Sequence, residues 1–210
     1  MISIPQLVLD NLIGLLLSDL HIARRNEVQN ARLLFAQSGK PEKFEFFMNV
    51  FEMLSVFCVQ DLKPTTRIWL DRLTGNAYNS ISFGTMQLPC FNFLHNLFYV
   101  KNGLNTLGKP KYKKIVPINI YNFLTSAGLA FWIMGDGSRQ NEGIHLSVYS
   151  YSEIECELLI SVLTNKFNLK CSLHRHVKGP RIYIDKASTI IVRDLVKPYM
   201  VPSMLYKLGL

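Results

Sequence analysis

Two stretches of the chain are apolar almost throughout, which predicts helices that are buried on more than one face. They are residues 7–17 and residues 121–134, and a helix that is apolar all round belongs in a core. Each stretch runs into an acid, because Ser18-Asp19 follows the first and Gly135-Asp136-Gly137 follows the second. Amphipathic patterns predict further helices at residues 41–58, 89–100, 152–167 and 187–201. Ser152, with Glu155 three residues on, has the spacing of a capping box at the start of one of them.

Between the helices, short segments bounded by turn residues predict β-strands. The predicted strands cover residues 21–25, 31–38, 65–72, 78–85, 144–149, 169–177 and 180–185. Two hairpins are predicted, one across Thr74-Gly75-Asn76 and one across Lys178-Gly179. Each half of the chain then has the order helix, two strands, helix, two strands, helix. Asp19 and Asp136 lie 117 positions apart, so we interpret the chain as an internal duplication of about one hundred residues per unit.

The duplication determines the fold class and the domain boundaries that we expect. The class is α+β, with two pseudosymmetric αββαββα units that resemble the subunits of a fused homodimer. The units are residues 1–105 and residues 118–210, and residues 106–117 join them. We predict that the joining segment is a linker, because residues 101–114 are polar and basic and contain Gly103, Gly108 and Pro110.

Composition and charge exclude two classes of protein and indicate the kind of partner. Hydrophobic residues make up 49% of the 210 positions and charged residues 18%, so this is not a disordered composition. The longest strongly apolar run, residues 12–17, is far shorter than the about 20 residues that cross a bilayer, which excludes a transmembrane protein. The net charge is +8, and residues 106–210 hold 14 basic and 7 acidic side chains. A basic surface is typical of a protein that binds a polyanion such as nucleic acid. The alternative is that the charge serves only to keep the protein soluble.

Both acids stand where a carboxylate is unfavourable, at the negative end of a helix macrodipole. A divalent cation held between carboxylate and helix carbonyls would explain this placement. Small residues would let the two helices pack closely and bring Asp19 and Asp136 side by side, namely Gly14, Ser18, Gly128, Ala130 and Gly135. Hard oxygen ligands, few histidines and four scattered cysteines without a C-x-x-C pair favour Mg²⁺ over zinc. The alternative is two ordinary buried helices with solvated terminal aspartates, and the matching placement favours the metal.

Residues 12–21 and 129–138 resemble the LAGLIDADG motif of homing endonucleases, and two motifs in one chain are similar to the single-chain branch of that family. Further strings follow the order and spacing of the omega-intron mitochondrial endonuclease type, at residues 113–117, 182–185, 197–199 and 204–208. The resemblance covers nearly the whole chain. It departs from the family pattern at Leu20, where the motif has a small residue, and at Phe131 and Trp132. Neither departure removes an acid.

The resemblance implies a saddle of two antiparallel sheets over the DNA major groove, with the motif helices packed at the pseudo-dyad. Asp19 and Asp136 match the family's catalytic, metal-binding acids, and Lys114 and Lys207 match basic residues that flank its active site. Metal ions on two carboxylates can activate water, neutralise phosphate charge and stabilise the leaving oxygen. A lysine near each scissile phosphate would stabilise developing charge or help to activate the water. The alternatives are an ordinary linker charge for Lys114 and a solvated side chain for Lys207.

The predicted strands carry many polar side chains, and alternate positions of a strand share one face. Arginine and glutamine can read guanine and adenine edges, and other basic groups can hold phosphate, so we predict DNA contacts from these side chains. In the first unit they are Arg24, Arg25, Arg32, Gln37, Arg67, Trp69, Arg72, Tyr78 and Ser80. In the second unit they are Ser138, Arg139, Gln140, His145, Ser147, Tyr149, His174, Arg175, His176, Lys178, Arg181 and Tyr183. A solvated face of an antiparallel sheet is the alternative.

The resemblance implies a monomeric, Mg²⁺-dependent, site-specific endonuclease that makes a double-strand break in a long DNA target and spreads its own intron. It also implies an organelle, the mitochondrion first and the chloroplast second. Two alternatives stay open because a fold does not fix a function. One is an RNA maturase that binds its intron RNA and assists splicing, and the other is a DNA-binding relative without catalysis.

Overall fold

The structure, a computed structural model, describes residues 2–72 and 75–210. The chain divides into two compact units, and the division differs from the one expected near residue 105. One unit is built from Asp19–Lys113 with a few N-terminal residues, and the other from Pro5–Ser18 together with Lys114–Leu210. The first helix, α1 (Gln6–Leu17), therefore belongs to the same unit as the C-terminal half of the chain.

The N-terminal unit contains a four-stranded antiparallel sheet, as the sequence predicts. Its elements are β1 (His21–Ala23), β2 (Arg32–Ser38), α2 (Pro41–Leu54), β3 (Thr65–Leu70), β4 (Ala77–Gly84) and α3 (Asn92–Phe98). The strand order is β1-β2-β4-β3. An aromatic cluster of Phe35, Phe46, Phe47 and Phe83 joins the apolar face of the sheet to α2. Of the predicted β3–β4 turn, Thr74 lies outside the described residues.

The segment that was expected to be a linker folds as a β-hairpin. Its strands are β5 (Tyr99–Leu104) and β6 (Pro110–Lys114), which form a two-stranded sheet. The Asn105 side chain accepts hydrogen bonds from the backbone N–H groups of Leu107 and Lys109, at 2.9 and 3.0 Å. Gly108 follows at a positive φ of 68°, which glycine adopts without steric cost. The residues that suggested flexibility are therefore the residues that build a tight turn.

The C-terminal unit repeats the strand topology of the first sheet. Its further elements are α4 (Ile120–Phe123), α5 (Ser126–Asp136), β7 (Gly137–Gln140), β8 (Gly143–Ser147), α6 (Glu153–Phe167), β9 (Cys171–His174), β10 (Arg181–Ile184) and α7 (Lys186–Val196). The strand order is β7-β8-β10-β9, again antiparallel throughout. The predicted capping box is confirmed, because the Ser152 and Glu155 side chains each accept the other's backbone N–H. The α+β class is therefore confirmed.

The stretch predicted as one helix over residues 121–134 is two helices, α4 and α5. The break lies at Thr125, whose backbone is extended and whose hydroxyl accepts a hydrogen bond from the Gly128 N–H at 3.2 Å. A threonine in this role caps a new helix, so its side chain restarts the helix inside an otherwise continuous apolar pattern. Among the described residues, no helix is both long enough and apolar enough to cross a membrane.

Helices α1 and α5 pack directly against one another through glycines, as the small residues in both sequences predict. A Cβ atom placed on Gly14 would lie 1.8 Å from the carbonyl oxygen of Gly128 and 2.9 Å from the backbone nitrogen of Trp132. All residues of α1 from Leu12 to Leu17 are buried. The close approach explains why α1 belongs with the C-terminal half of the chain, since its apolar surface is covered there.

Candidate active site and nucleic-acid interface

The C-terminal end of α1 is held by two side chains from distant parts of the sequence. The ammonium of Lys114 donates a hydrogen bond to the carbonyl oxygen of Ser18 at 3.1 Å. The hydroxyl of Tyr151 donates to the carbonyl oxygen of Leu17 at 3.2 Å. The last carbonyls of a helix have no partner within the helix, so these donors satisfy groups that lie directly before Asp19.

The C-terminal end of α5 is held by one buried lysine. The Lys207 ammonium donates to the carbonyl oxygens of Ile133, Met134 and Gly135, at 3.2, 2.6 and 3.0 Å. Only 4% of Lys207 is exposed, so the alternative of a solvated side chain is excluded. An ammonium has three protons to donate, and here it meets three helix carbonyls at the negative end of the macrodipole. The positive charge therefore lies against the residue that precedes Asp136.

The two lysines make the same contact in the two motifs. Lys114 bonds the carbonyl of Ser18, which precedes Asp19, and Lys207 bonds the carbonyl of Gly135, which precedes Asp136. Each lysine thus offsets the dipole at the helix end where an acid stands, which makes a carboxylate there tolerable. Sequence reasoning paired these residues only through the family resemblance, because Lys114 and Lys207 lie far from the acids along the chain.

Asp19 has a positioning partner that the sequence did not reveal. The amide nitrogen of Gln37 donates to an Asp19 carboxylate oxygen, and the Lys43 ammonium donates to the amide oxygen of Gln37 at 3.2 Å. Gln37 is 4% exposed and shares the buried side of β2 with Leu33 and Phe35. The pleat thus turns Gln37 inward, away from the solvent face, and its base contact stays a prediction. The alternation of residues 32–38 was the available signal.

The carboxylate of Asp19 is exposed, and it lines an open groove of about 480 Å³ on the solvent face of the first sheet, with His21, Arg32, Lys63 and Arg67 among its walls. Asp136, at the end of α5, is half-buried. Within the described part of the chain, no cluster of three or more His, Cys, Asp or Glu side chains could hold a metal by itself. Mg²⁺ is usually bound by one or two carboxylates, with waters and substrate phosphates completing its octahedron. The carboxylates of Asp19 and Asp136 therefore fit a Mg²⁺ ion that is bound in this way.

The register of the first sheet brings most of the predicted DNA-contacting residues onto one face. Arg32 projects from the solvent side of β2, Arg67 of β3 pairs with Ser80 of β4, and Trp69 pairs with Tyr78. The Trp69 and Tyr78 rings stack with centroids 6.0 Å apart. All of β3 is exposed, as is Arg72 just beyond it. This face is polar, aromatic and basic, which suits contact with nucleic acid.

Arg24 makes structural contacts within its own unit, and its DNA contact stays a prediction. Its guanidinium donates to the carbonyl oxygens of Gln29 and Glu27, at 2.8 and 2.6 Å, and to the Asn96 side chain at 3.0 Å. These three bonds fix the loop between β1 and β2 and leave Arg25, which is exposed, as the basic group that the loop presents to solvent.

The second sheet also gathers predicted residues on one face. Ser138 pairs with His145, His145 with Tyr183, and Arg181 with both Ser147 and His174. Since alternate residues of a strand share a face, Gln140 lies on the same side as Ser138. At one end of this face, the Arg181 guanidinium donates to the Tyr149 hydroxyl at 2.7 Å, and the His176 ring stacks on Tyr149. Lys178 is exposed in the turn beyond.

Two histidines on this face are directly coupled. Nε2 of His145 lies 3.1 Å from Nδ1 of His174, and Nε2 of His174 lies 3.1 Å from the Ser172 hydroxyl. Burial lowers the pKa of His145, and the charges of His174 and Arg181 lower it further. The unbound protein therefore favours the neutral form of His145.

Two predicted contacts lie away from this face. Arg139 alternates with Ser138 and Gln140 on β7, so it projects to the opposite side, where its Nε donates to the Asn141 carbonyl oxygen at 3.0 Å. Arg175 follows β9 and lines a separate cavity with Tyr151 and Glu153. The prediction grouped them with the DNA contacts because composition alone does not fix pleat register.

Two tandem copies of one strand topology, each with an acid at the end of an apolar helix, define a duplicated α+β class. The model of the LAGLIDADG DNA endonuclease family matches residues 9–191. The chain therefore belongs to the LAGLIDADG DNA endonuclease family, and the resemblance seen in the sequence is confirmed.

The relatives include both maturases and endonucleases. The cytochrome b mRNA maturase bI2 of Debaryomyces hansenii is 31% identical over 205 residues, which cover 96% of this chain and 73% of the relative. The probable intron-encoded endonuclease 1 of Wickerhamomyces canadensis is 28% identical over 207 residues, which cover 95% and 82%. The structure of the homing endonuclease I-WcaI bound to its DNA recognition sequence matches with a TM-score of 0.84 at 25% identity, covering 99% of this chain and 88% of that one. The fold is the LAGLIDADG fold with two four-stranded antiparallel sheets.

Proposed function

We propose that the protein is a site-specific DNA endonuclease that makes a double-strand break by Mg²⁺-dependent phosphodiester hydrolysis and so spreads its intron. One observation carries the proposal: in both motifs a lysine bonds the carbonyl directly before the acid. Two acids at helix C-termini, each with a cation beside it, favour catalysis over a DNA-binding relative that has lost it. The similarity to the DNA-bound I-WcaI structure supports DNA as the substrate.

In this proposal Asp19 and Asp136 are the catalytic carboxylates that would hold the divalent ion. When bound, such an ion supplies an activated water and neutralises charge on the phosphate. Gln37 orients the Asp19 carboxylate through its amide, and Lys43 fixes that amide in turn. Holding a reacting group in one geometry contributes to rate because less ordering remains to be done in the transition state.

Lys207 and Lys114 act through charge. The Lys207 ammonium donates to three carbonyls at the end of α5, so its positive charge is held at the helix end. Its positive charge at the helix end would stabilise negative charge that develops on the phosphate. Lys114 makes the corresponding bond to Ser18, and we propose the same role for it on the other strand of the target.

The two polar sheet faces would read the target. Arg32, Arg67 and Trp69 would contact it from the first sheet, and His145, Arg181 and Tyr183 from the second. We propose that the protein acts as a monomer, because one chain carries both motifs. The similarity to a cytochrome b mRNA maturase favours the mitochondrion as its location.

A second candidate function is favoured by that same relative. A chain that is 31% identical to a cytochrome b mRNA maturase could bind its intron RNA and assist splicing on this scaffold. Retention of both acids favours cleavage of DNA and does not conflict with an RNA role in the same protein.

The test is to incubate the purified protein with a DNA library that spans candidate intron insertion sites, in Mg²⁺, in Ca²⁺ and in EDTA. We expect discrete double-strand cutting in Mg²⁺ alone. Asp19→Asn and Asp136→Asn should each slow cutting at least about a hundredfold while leaving DNA binding intact. Asp194→Asn, an exposed change on α7, is the matched control. If Asp19→Asn and Asp136→Asn cut as well as the unchanged protein, the proposed mechanism is wrong. Absence of cutting together with tight binding to structured intron RNA would favour the maturase.

A further inference from the structure

The β5–β6 hairpin carries charge that neither polar sheet face accounts for. Residues 99–114 contain five lysines and no acid. The backbone N–H of Asn105 donates to the Lys109 carbonyl at 2.8 Å, and that of Gly108 donates to the Asn105 carbonyl at 3.0 Å. Together with the two bonds to the Asn105 side chain, these contacts close the turn. The lysines are therefore displayed on a folded arm.

Three of these lysines form a row. Lys109, Lys111 and Lys113 are exposed, whereas Tyr112 between them is half-buried. Alternate residues of a strand point the same way and recur about every 6.8 Å. In the described ranges, 2–72 and 75–210, none of the three lies within 4.0 Å of a carboxylate, whereas Lys101 on the other strand pairs with Glu27 at 4.0 Å. The row is thus a line of positive charge without internal neutralisation.

The base of the hairpin meets the solvent face of the first sheet. Tyr99 and Tyr112 line a cavity of about 240 Å³ together with His21, Arg25 and Arg32. The Tyr99 hydroxyl accepts the Ile22 N–H at 3.0 Å and lies 3.0 Å from Nδ1 of His21. Burial raises the pKa of Tyr99 to about 12, so its hydroxyl stays protonated and keeps this link at ordinary pH.

The cavity at this junction is basic. Arg24 also lines it, but its guanidinium is used by the β1–β2 loop. Arg25 and Arg32 form no ion pair with any described carboxylate. Two uncompensated guanidiniums around one cavity suit an oxyanion such as phosphate, which arginine binds through paired N–H groups. Arg32 also belongs to the sheet face that we propose for DNA.

We infer that the β5–β6 hairpin is a phosphate-binding arm that extends the DNA-binding face of the first sheet, with Lys109, Lys111 and Lys113 on the DNA backbone and the Arg25–Arg32 cavity holding a phosphate at the junction. This inference rests on the proposed function for the identity of its polyanion. Backbone contacts of this kind fix the position of the protein on the duplex and carry no base specificity.

The test is the salt dependence of binding to a duplex of unrelated sequence, measured in Ca²⁺ or EDTA so that no cleavage is involved. The slope of log K against log salt changes by about 0.9 for each DNA phosphate that the protein no longer neutralises. The variant K109Q/K111Q/K113Q should therefore lower the slope by about 2.7. Between about 50 and 200 mM salt the unchanged protein should lose about 40-fold more affinity than this variant. A triple Lys→Arg variant at the same positions should restore the slope.

The matched control is K40Q/K186Q/K197Q, which removes three exposed lysines elsewhere and lowers the net charge equally. Melting temperatures confirm that both variants fold. If the two triple variants lower the slope by the same amount, the change in slope comes from the net charge alone, and the proposal of a phosphate-binding arm is refuted. If the hairpin variant lowers the slope but the unchanged protein cuts no DNA, the arm stands and the endonuclease proposal fails.

Discussion

The ammonium of Lys207 lies 3.0 Å from the carbonyl oxygen of Gly135, the residue directly before Asp136. Lys114 lies 3.1 Å from the carbonyl oxygen of Ser18, the residue directly before Asp19. The two contacts differ in burial, because Lys207 is almost wholly enclosed and Lys114 is half-buried. The lysine therefore contributes more to the stability of the fold in the second motif than in the first.

This difference predicts unequal costs of removing the two lysines. Lys207→Met leaves up to three helix carbonyls without a donor in a buried setting, and each such group costs about 1–3 kcal/mol. We expect a loss of about 2–4 kcal/mol in the free energy of unfolding. Lys114→Met should lose no more than about 1 kcal/mol, since water can reach the Ser18 carbonyl. Urea denaturation measures both, with Lys197→Met as an exposed control, and equal losses for Lys207→Met and Lys114→Met would contradict the structure.

The glycines between α1 and α5 predict a second asymmetry. Gly14→Ala places a Cβ into the Gly128 carbonyl, at a separation of 1.8 Å, so the helices must separate. We expect a cost of about 3 kcal/mol or more. At Gly128 the nearest atom to a new Cβ is the Asp10 carbonyl oxygen at 2.9 Å, and alanine also favours the helix. Gly128→Ala also forces a backbone shift, so it should destabilise as well, but less than Gly14→Ala. Thermal unfolding measures both losses, and an equal or reversed order would contradict the described packing.

The position of Gln37 predicts that its replacement lowers the rate of DNA cleavage and leaves the affinity for DNA unchanged. Gln37→Leu removes the amide that orients Asp19 but changes no residue on the solvent face of the sheet, so DNA affinity should hold. The single-turnover rate at saturating DNA should fall about 10–100-fold, as for other partners that orient a ligating group. Gln140→Leu is the matched control, because Gln140 is exposed on β7 and should change affinity instead. A Gln37→Leu variant with weakened binding and an unchanged rate would show that Gln37 reads DNA after all.

The His145–His174 pair predicts a pH-dependent affinity. Burial, His174 and Arg181 lower the pKa of His145, so the free protein disfavours a proton on this ring. The other charged neighbours on this face are His176 and Lys178, while the facing side chains of Ser138 and Tyr183 carry no charge. DNA phosphates favour the protonated form and raise the pKa, so binding takes up a proton. Affinity should therefore increase as the pH falls through the bound-state pKa of His145, by at most about tenfold per pH unit for one proton.

His174→Gln removes the coupled partner and should flatten this pH profile, measured by DNA titration between about pH 5.5 and 8 in Ca²⁺. His176→Gln is the matched control, since His176 stacks on Tyr149 but makes no bond to His145. If affinity depends on pH in His174→Gln as it does in the unchanged protein, or if the control flattens the profile equally, the His145–His174 pair does not cause the pH dependence.

Local patterns were enough to predict much of this fold. The Ser152 capping box, the seven predicted strand segments and the first apolar helix all depend on residues within a few positions of one another, and the structure contains each of them. Where local signals compete, prediction failed. Thr125 interrupts a continuous apolar pattern because a single hydroxyl can cap a new helix, and Gly108 with Asn105 builds a turn in a segment whose composition is that of a linker.

The candidate site was likewise predictable from the sequence only in part. The order of the residues alone shows that two acids follow two apolar helices and that small residues permit those helices to meet, since both facts depend on side-chain size and position along the chain. The folded chain was needed to show that Lys207 and Lys114 hold the helix ends, that Gln37 faces Asp19, and that Arg139 leaves the polar face. These contacts join residues tens of positions apart or depend on pleat register, and a one-residue shift of register moves every side chain of a strand to the other side.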